Sequence, residues 1–157
     1  VAPTDDELAE IVGSLVEDSS DVFDDELTPD RLRDTAGLVT RFMSRDMGRA
    51  PVAWSPAALE ILLLDYVPRK IAVPAEALAA LPGELRALVP AAQRAAGWED
   101  RQVAFTLETI DRVEPEFLEL IASPDAWEPQ KQFVLRAERV RAEGSIRSAA
   151  ADGAAAD

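Results

Sequence analysis

The apolar segment 54–70 constrains the fold more than any other feature of the chain. Ser55 is a preferred N-cap residue and Pro56 suits the first helical position, so a helix is predicted to begin there. Pro68 disfavours helical geometry in the residue before it, which predicts that the helix ends by Val67. Between these limits only two residues are charged, and apolar side chains occupy all sides of the helix. We therefore expect a central buried helix over 56–67.

The other helices are predicted by local start and stop signals. Thr4 and Glu7 have the spacing of a capping box, and Thr28-Pro29 has the same cap-then-proline order as the central helix. Later helices are predicted over 75–80, 82–96, 99–113, from 115 onward and over 129–143. Pro90 falls inside one of them and either kinks it or splits it after Val89. With no alternating strand pattern, the sequence predicts an all-α fold of about six to eight short helices.

The chain is predicted to form a single domain. Composition changes from charged to apolar over 48–53, but this segment is too short to link independent units. We therefore assign 1–48 to an acidic helical hairpin and 49–143 to the helical core of the same domain. The tail 144–157 has almost no large apolar residue, so it buries nothing that would offset its ordering entropy, and we predict it to be disordered.

Acidic charge is concentrated near the N-terminal end. The 157-residue chain has a formal net charge of -14, and residues 1–30 contain 11 acidic and no basic side chains. Such a surface repels phosphate backbones and anionic membranes and attracts basic surfaces. We expect a protein partner with a basic surface, and neither nucleic acid nor membrane. The oligomeric state is open, with a homodimer among the alternatives.

Cysteine and histidine are both absent from the sequence. Missing cysteines exclude disulfides, thiolate metal sites and cysteine nucleophiles, and they are compatible with a reducing cytoplasm. Missing histidines remove the most frequent general base and the most frequent metal ligand. No secretory signal is recognisable. We therefore expect a cytoplasmic protein without a cofactor.

Carboxylates at i, i+3 spacing raise the hypothesis of a magnesium site. Two pairs are predicted to share a helix face each, Glu108 with Asp111 and Glu116 with Glu119. All-α nucleotide pyrophosphohydrolases hold magnesium with an ExxE motif followed, about one helix later, by ExxD. Here the nearer ExxE follows the ExxD, and Pro115 lies between the pairs, so the faces need not converge. A carboxylate-based, metal-dependent hydrolase is the alternative to a non-enzymatic domain.

The segment 93–110 has the helix, glycine turn, helix pattern of a helix-turn-helix. Its second helix begins with Glu99 and Asp100, which would place two negative charges where the phosphates of a DNA groove lie. We therefore interpret the segment as an ordinary helical corner. DNA binding is the third and least favoured hypothesis.

Arg69 and Lys70 follow the central helix directly and are the candidate binding residues. A basic pair at this place lies near the negative end of the helix dipole and close to Asp65. The favoured interpretation is a helix C-cap with a surface salt bridge. The alternative is a site for an anion or an acidic peptide.

Five short motifs carry a resemblance to a known domain: WSP at 54–56, LLDYVPRK at 63–70, PEF at 115–117, DAW at 125–127, and P-x-K at 129–131. Together they resemble a helical domain of unknown function that is found in many actinobacterial proteins. Tyr66 stands where that family has tryptophan. The family has no established activity, so the resemblance implies a fold unit and a taxonomic setting, and no chemistry. We therefore favour a non-enzymatic protein-interaction or accessory domain.

Overall fold

Eight α-helices make up the part of the chain that the structure describes, and residues 2–156 contain no β-strand. The structure is a computed structural model that describes residues 2–156, with side chains described for 2–142. The helices are α1 (Asp5–Asp18), α2 (Pro29–Arg41), α3 (Pro56–Ile61), α4 (Val67–Lys70), α5 (Ala75–Leu78), α6 (Leu81–Ala95), α7 (Asp100–Ala122) and α8 (Pro129–Ala156). Short 3₁₀ turns lie at Ser20–Val22 and Pro124–Ala126, and π-helical turns at Phe42–Asp46 and Leu62–Tyr66. The all-α prediction is confirmed.

Hydrogen bonds confirm the predicted helix starts. The Thr4 hydroxyl accepts from the N–H of Glu7 at 3.2 Å, and the Glu7 carboxylate accepts from the N–H of Thr4 at 2.9 Å. Thr28 caps α2, and Ser55 caps α3 by accepting from the N–H of Ala58 at 3.1 Å. The caps satisfy backbone donors that a helix leaves unpaired at its first turn.

The central helix is longer than predicted. The helices α3 and α4 and the π-helical turn between them follow one another without a break, so the helix passes Pro68 and ends at Lys70. In the wider turn the N–H of Val67 donates to the carbonyl of Leu62, five residues earlier. This turn shifts the hydrogen-bond register just before Pro68, so the missing proline N–H does not end the helix. The chain becomes extended only at Ile71.

Two further prolines lie inside helices. Pro90 does not split α6, which is continuous on both sides of it. Pro115 lies within α7, so the predicted helix boundary between Val113 and Pro115 is wrong. A proline inside a helix costs about 3 kcal/mol, whereas burying one large apolar side chain contributes about 1.5–3 kcal/mol. The side chains that α7 buries on both sides of the proline therefore outweigh the interruption; they are Ile110, Val113, Phe117 and Ile121.

The core extends through all the helices from α1 to α7. The pair of α1 and α2 packs on α6, α6 packs on α7, and α7 lies along the central helix. Leu59, Leu62 and Leu63 of the central helix are fully buried in this core, to which α1 also contributes apolar side chains. None of the helices in the described part combines the length and the hydropathy of a membrane-spanning helix.

The last helix, α8, meets the rest of the protein mainly at α4. Its side chains Phe133 and Val140 are 73% and 62% exposed and face solvent, whereas Leu135 between them is half-buried. The backbone of α8 is helical to Ala156. The predicted disordered tail, 144–157, lies outside the residues whose side chains are described and stays a prediction.

Candidate functional site

Arg69 lies at the end of the central helix, where two carboxylates hold its guanidinium. Its Nε and Nη2 donate to the two oxygens of Asp65 at 3.1 and 3.0 Å, and its Nη1 donates to Oε1 of Glu128 at 2.6 Å. The N–H of Glu128 also donates to the carbonyl of Arg69 at 2.9 Å. The hydrogen bond with Asp65 is the main reason that the pKa of Arg69 is raised. Arg69 therefore connects the start of α8 to the central helix.

Lys70 contacts a different part of the protein. Its Nζ lies 5.9 Å from the ring centroid of Tyr66, and that ring packs against Phe42, with 4.9 Å between ring centroids. The contacts of Arg69 thus face α8, whereas those of Lys70 face Tyr66 and the end of α2. They match the interpretation of a helix C-cap with a salt bridge, and an anion site at this pair stays a prediction.

Lys131 is a buried cation that sequence analysis did not include among the candidate residues. It is only 2% exposed, and its Nζ donates to the carbonyl of Pro68 at 2.7 Å. The ammonium lies 4.9 Å from the ring centroid of Trp127, and burial lowers the pKa of Lys131 to about 8. Within residues 2–142 no carboxylate forms an ion pair with it. Lys131 caps the carbonyl end of the central helix, and the P-x-K motif was its only signal in the sequence.

The four carboxylates of the magnesium hypothesis all lie on α7 and are exposed. Glu108 and Glu119 are separated by about 16 Å along the helix axis. Asp111 accepts a hydrogen bond from Nε of Arg86 at 2.7 Å. The structure does not bring these four carboxylates, including that of Glu116, together in one cluster. Among the described residues, no three acidic side chains are placed to hold a metal ion.

The acidic residues near the N-terminus lie on α1, on the segment that follows it and at the start of α2, and together we call them the acidic surface. It consists of the carboxylates of Asp5, Asp6, Glu7, Glu10, Glu17, Asp18, Asp21, Asp24, Asp25, Glu26 and Asp30, and all eleven are exposed. Two of them form ion pairs, Asp5 with Arg45 and Asp30 with Arg33. The other nine form no ion pair with any residue of the described part.

The corner between α6 and α7 corresponds to the predicted helix-turn-helix. Gly97, the glycine of the predicted turn, has a φ of +78°, a left-handed conformation that glycine adopts readily after a helix end. At the start of α7 the backbone carbonyl of Glu99 accepts from the N–H of Gln102 at 2.9 Å, and the amide oxygen of Gln102 accepts from the N–H of Glu99 at 2.8 Å. Both Glu99 and Asp100 are exposed. Two carboxylates thus lie at the start of the helix that would enter a DNA groove. They would repel the DNA phosphates, as predicted from the sequence.

No family model matches the chain, and no curated protein or solved structure matches it either. The resemblance to an actinobacterial helical domain therefore stays a prediction, together with the taxonomic setting that it implies.

This geometry divides the charged residues into two groups. At the end of the central helix, Arg69 and Lys131 are occupied by hydrogen bonds within the chain. On the acidic surface, nine of eleven carboxylates have no cationic partner within the described part. The first group holds α8 in place, and the second group has charge available for another molecule.

Proposed function

We propose that this protein is a non-enzymatic interaction domain of the cytoplasm that binds the basic surface of a partner protein through its acidic surface. The observation that carries the proposal is the exposure of all eleven acidic side chains within residues 5–30, a segment without any basic residue. Opposite charges across an interface steer association and select partners. The absence of cysteine from the sequence is compatible with the cytoplasm.

The acidic surface is supported by a rigid element. Leu8, Val12 and Leu15 on the inner side of α1 are at most 7% exposed, so the helix is fixed to the core while its outer side carries carboxylates. At the six carboxylates that α1 carries, a partner therefore meets charges on a backbone that is already in place, and binding needs little additional ordering there.

The end of α1 also carries charge that opposes its own stability. Glu17 and Asp18 lie in the last turn of α1, which contains no basic residue. A helix C-terminus is the negative end of the dipole, so each acid there costs roughly 0.3–1 kcal/mol at low salt. Locally unfavourable residues on an exposed surface are typical of binding sites.

A carbodiimide crosslinking experiment in an extract of the native cells tests the proposal, because this reagent joins carboxylates directly to lysine amines that they contact. We expect the full chain to crosslink to a protein with a basic surface, through carboxylates of residues 5–30. Replacing Glu10, Glu17 and Asp21 by Gln, Gln and Asn should abolish the crosslink. Raising the salt concentration to about 0.5 M should weaken it strongly, because the charges are exposed.

The matched control removes the same number of exposed carboxylates elsewhere. Glu108→Gln, Glu116→Gln and Glu119→Gln on α7 should leave the crosslinked partner unchanged. Loss of the crosslink in this control, or its retention in the variant of the acidic surface, would contradict the proposal. Magnesium-dependent hydrolysis of nucleoside triphosphates by the purified chain, lost in the α7 variant, would establish the hydrolase alternative instead.

A further inference from the structure

A groove of about 660 Å³ between α1 and α2 is lined by three arginines, although the whole chain has a net charge of -14. We call it the arginine groove. Arg33, Arg41 and Arg45 come from α2 and the π-helical turn that extends it, and Leu8 and Val12 of α1 form an apolar floor. The volume lies within the range of about 300–1,000 Å³ that is usual for small-molecule pockets.

The arginines lie on one side of α2 because they follow its i, i+4 spacing, with Gly37 between Arg33 and Arg41. Gly37 is buried, and a Cβ atom at this position would lie 3.2 Å from Nη1 of Arg41. The absence of a side chain at Gly37 therefore makes room for the guanidinium of Arg41.

The three arginines differ in their partners. Arg33 is paired with Asp30 at 2.8 Å, and Arg45 is paired with Asp5. Among residues 2–142, no carboxylate lies within ion-pair distance of Arg41. The lining includes three arginines and two aspartates, and Asp30 pairs with Arg33 from outside the lining, so the guanidinium left available within the described part is that of Arg41.

We propose that the arginine groove binds a small carboxylate with an apolar body. The guanidinium of Arg41 receives the carboxylate, whose planar shape matches its paired donors, and the apolar body packs on Leu8 and Val12. A singly charged carboxylate suits the groove better than a phosphate, because repulsion from the acidic protein grows with the charge of the ligand. Asp5 and Asp30 of the acidic surface adjoin this site through their ion pairs with two of its arginines. The proposed contacts involve no carboxylate of the protein, so they do not depend on the proposed function of that surface.

Amide chemical shifts of the ¹⁵N-labelled full chain test the proposal. Sodium hexanoate and sodium benzoate are titrated at constant ionic strength, and saturable shifts are expected at the amides of Ala9, Gly37 and Arg41. Inorganic phosphate and 1-hexanol serve as comparison ligands, since phosphate offers only the negative charge and 1-hexanol offers only the apolar body. Both should bind at least about tenfold more weakly than the better carboxylate.

Two variants locate the site. Arg41→Gln should weaken carboxylate binding about tenfold or more, because a charge-assisted pair of hydrogen bonds is lost. Gly37→Ala should also weaken binding, because the added Cβ moves the guanidinium, while alanine favours the helix and keeps the variant folded. Arg94→Gln removes an exposed arginine from α6, outside the groove, and should leave affinity unchanged.

Three results would overturn the proposal: no saturable shift with either carboxylate, undiminished affinity in Arg41→Gln, or equal affinity for phosphate or 1-hexanol. The amide pattern outside the groove shows whether each variant is folded. Crosslinking at the acidic surface does not involve Arg41, so it is unaffected by any of these results.

Discussion

Two helix C-termini of this protein carry charges of opposite sign. The last turn of α1 contains Glu17 and Asp18 and no basic residue. The last turn of the central helix contains Arg69 and Lys70, and the ammonium of Lys131 donates to one of its final carbonyls. A helix C-terminus favours cations, so the central helix is complemented by its charges and α1 is opposed by them.

The difference shows which charged residues serve the fold and which are available for binding. Arg69 and Lys131 join the central helix to α8, so their charges are used inside the molecule. The carboxylates at the end of α1 have no such partner in the described part, and they reduce the stability of the helix that carries them. Charge with a structural cost and no internal partner supports a role in recognition.

If the charges at the end of the central helix stabilise the fold, the buried side chains of that helix should contribute strongly to stability as well. Leu63→Ala is the substitution with the largest expected effect. Leu63 is fully buried, so its truncation should lower the free energy of unfolding by about 2–5 kcal/mol. Urea denaturation with an unchanged m-value measures the loss. The control is Ile61→Ala on the same helix, where the side chain is 42% exposed and a loss below about 1 kcal/mol is expected. An equally small loss for Leu63→Ala would contradict its burial.

The structural role of Lys131 at the end of the central helix can be measured as a pH dependence of the free energy of unfolding. Burial lowers its pKa from 10.5 to about 8, so between these values the unfolded chain binds more protons than the folded one. Raising the pH therefore favours the folded state, and the free energy of unfolding should increase by about 2 kcal/mol from pH 8 to pH 10. Urea denaturation at pH 8, 9 and 10 measures this rise. Burial raises the pKa of Tyr66, whose ionisation acts in the opposite direction, so the expected window ends near pH 10.

The matched variant for this titration is Lys131→Met, which retains the apolar stem and removes the amine. Its stability should not rise over the same pH range. A rise of equal size in Lys131→Met would mean that another group is responsible and that Lys131 keeps its ordinary pKa. The variant also leaves the carbonyl of Pro68 without its donor, so α8 amides should exchange faster with solvent.

Local features of the fold could be predicted from the sequence. The caps at Thr4 and Ser55 and the helix end at Gly97 depend on residues that are at most a few positions apart. Such signals can be recognised within a short segment of sequence, without knowledge of the rest of the chain. The same applies to the exposure of the acidic residues in 5–30, because carboxylates are rarely buried unless a cationic partner lies nearby, and this segment contains no basic residue.

The remaining features depend on contacts between distant parts of the chain. Pro68 and Pro115 lie inside helices because packing and a π-helical turn outweigh their local preference. Lys131 donates a hydrogen bond to a carbonyl 63 positions away, and Arg69 donates one to Glu128, 59 positions away. The i, i+4 spacing of the arginines in α2 is visible in the sequence, but the groove exists only because α1 packs beside it. No periodic pattern encodes these pairings.

The smallest expected effect concerns the end of α1, where substitutions should raise the free energy of unfolding, whereas Leu63→Ala should lower it. Replacing Glu17 by Gln and Asp18 by Asn removes two charges from the negative end of the helix dipole. Each replacement should raise the free energy of unfolding by about 0.3–1 kcal/mol at low ionic strength, and less at high salt. Urea denaturation at two salt concentrations measures the gain.

Asp6→Asn is the matched control for this gain, because Asp6 lies in the first turn of α1, at the positive end of the same dipole. General self-repulsion predicts that all three neutralisations stabilise the protein, whereas the dipole predicts a gain at Glu17 and Asp18 and a loss at Asp6. A gain at all three would show that net charge, and not the position at a helix end, distinguishes the two C-termini. If the stabilised variant also loses the crosslinked partner, the charges at the end of α1 reduce stability and contribute to binding.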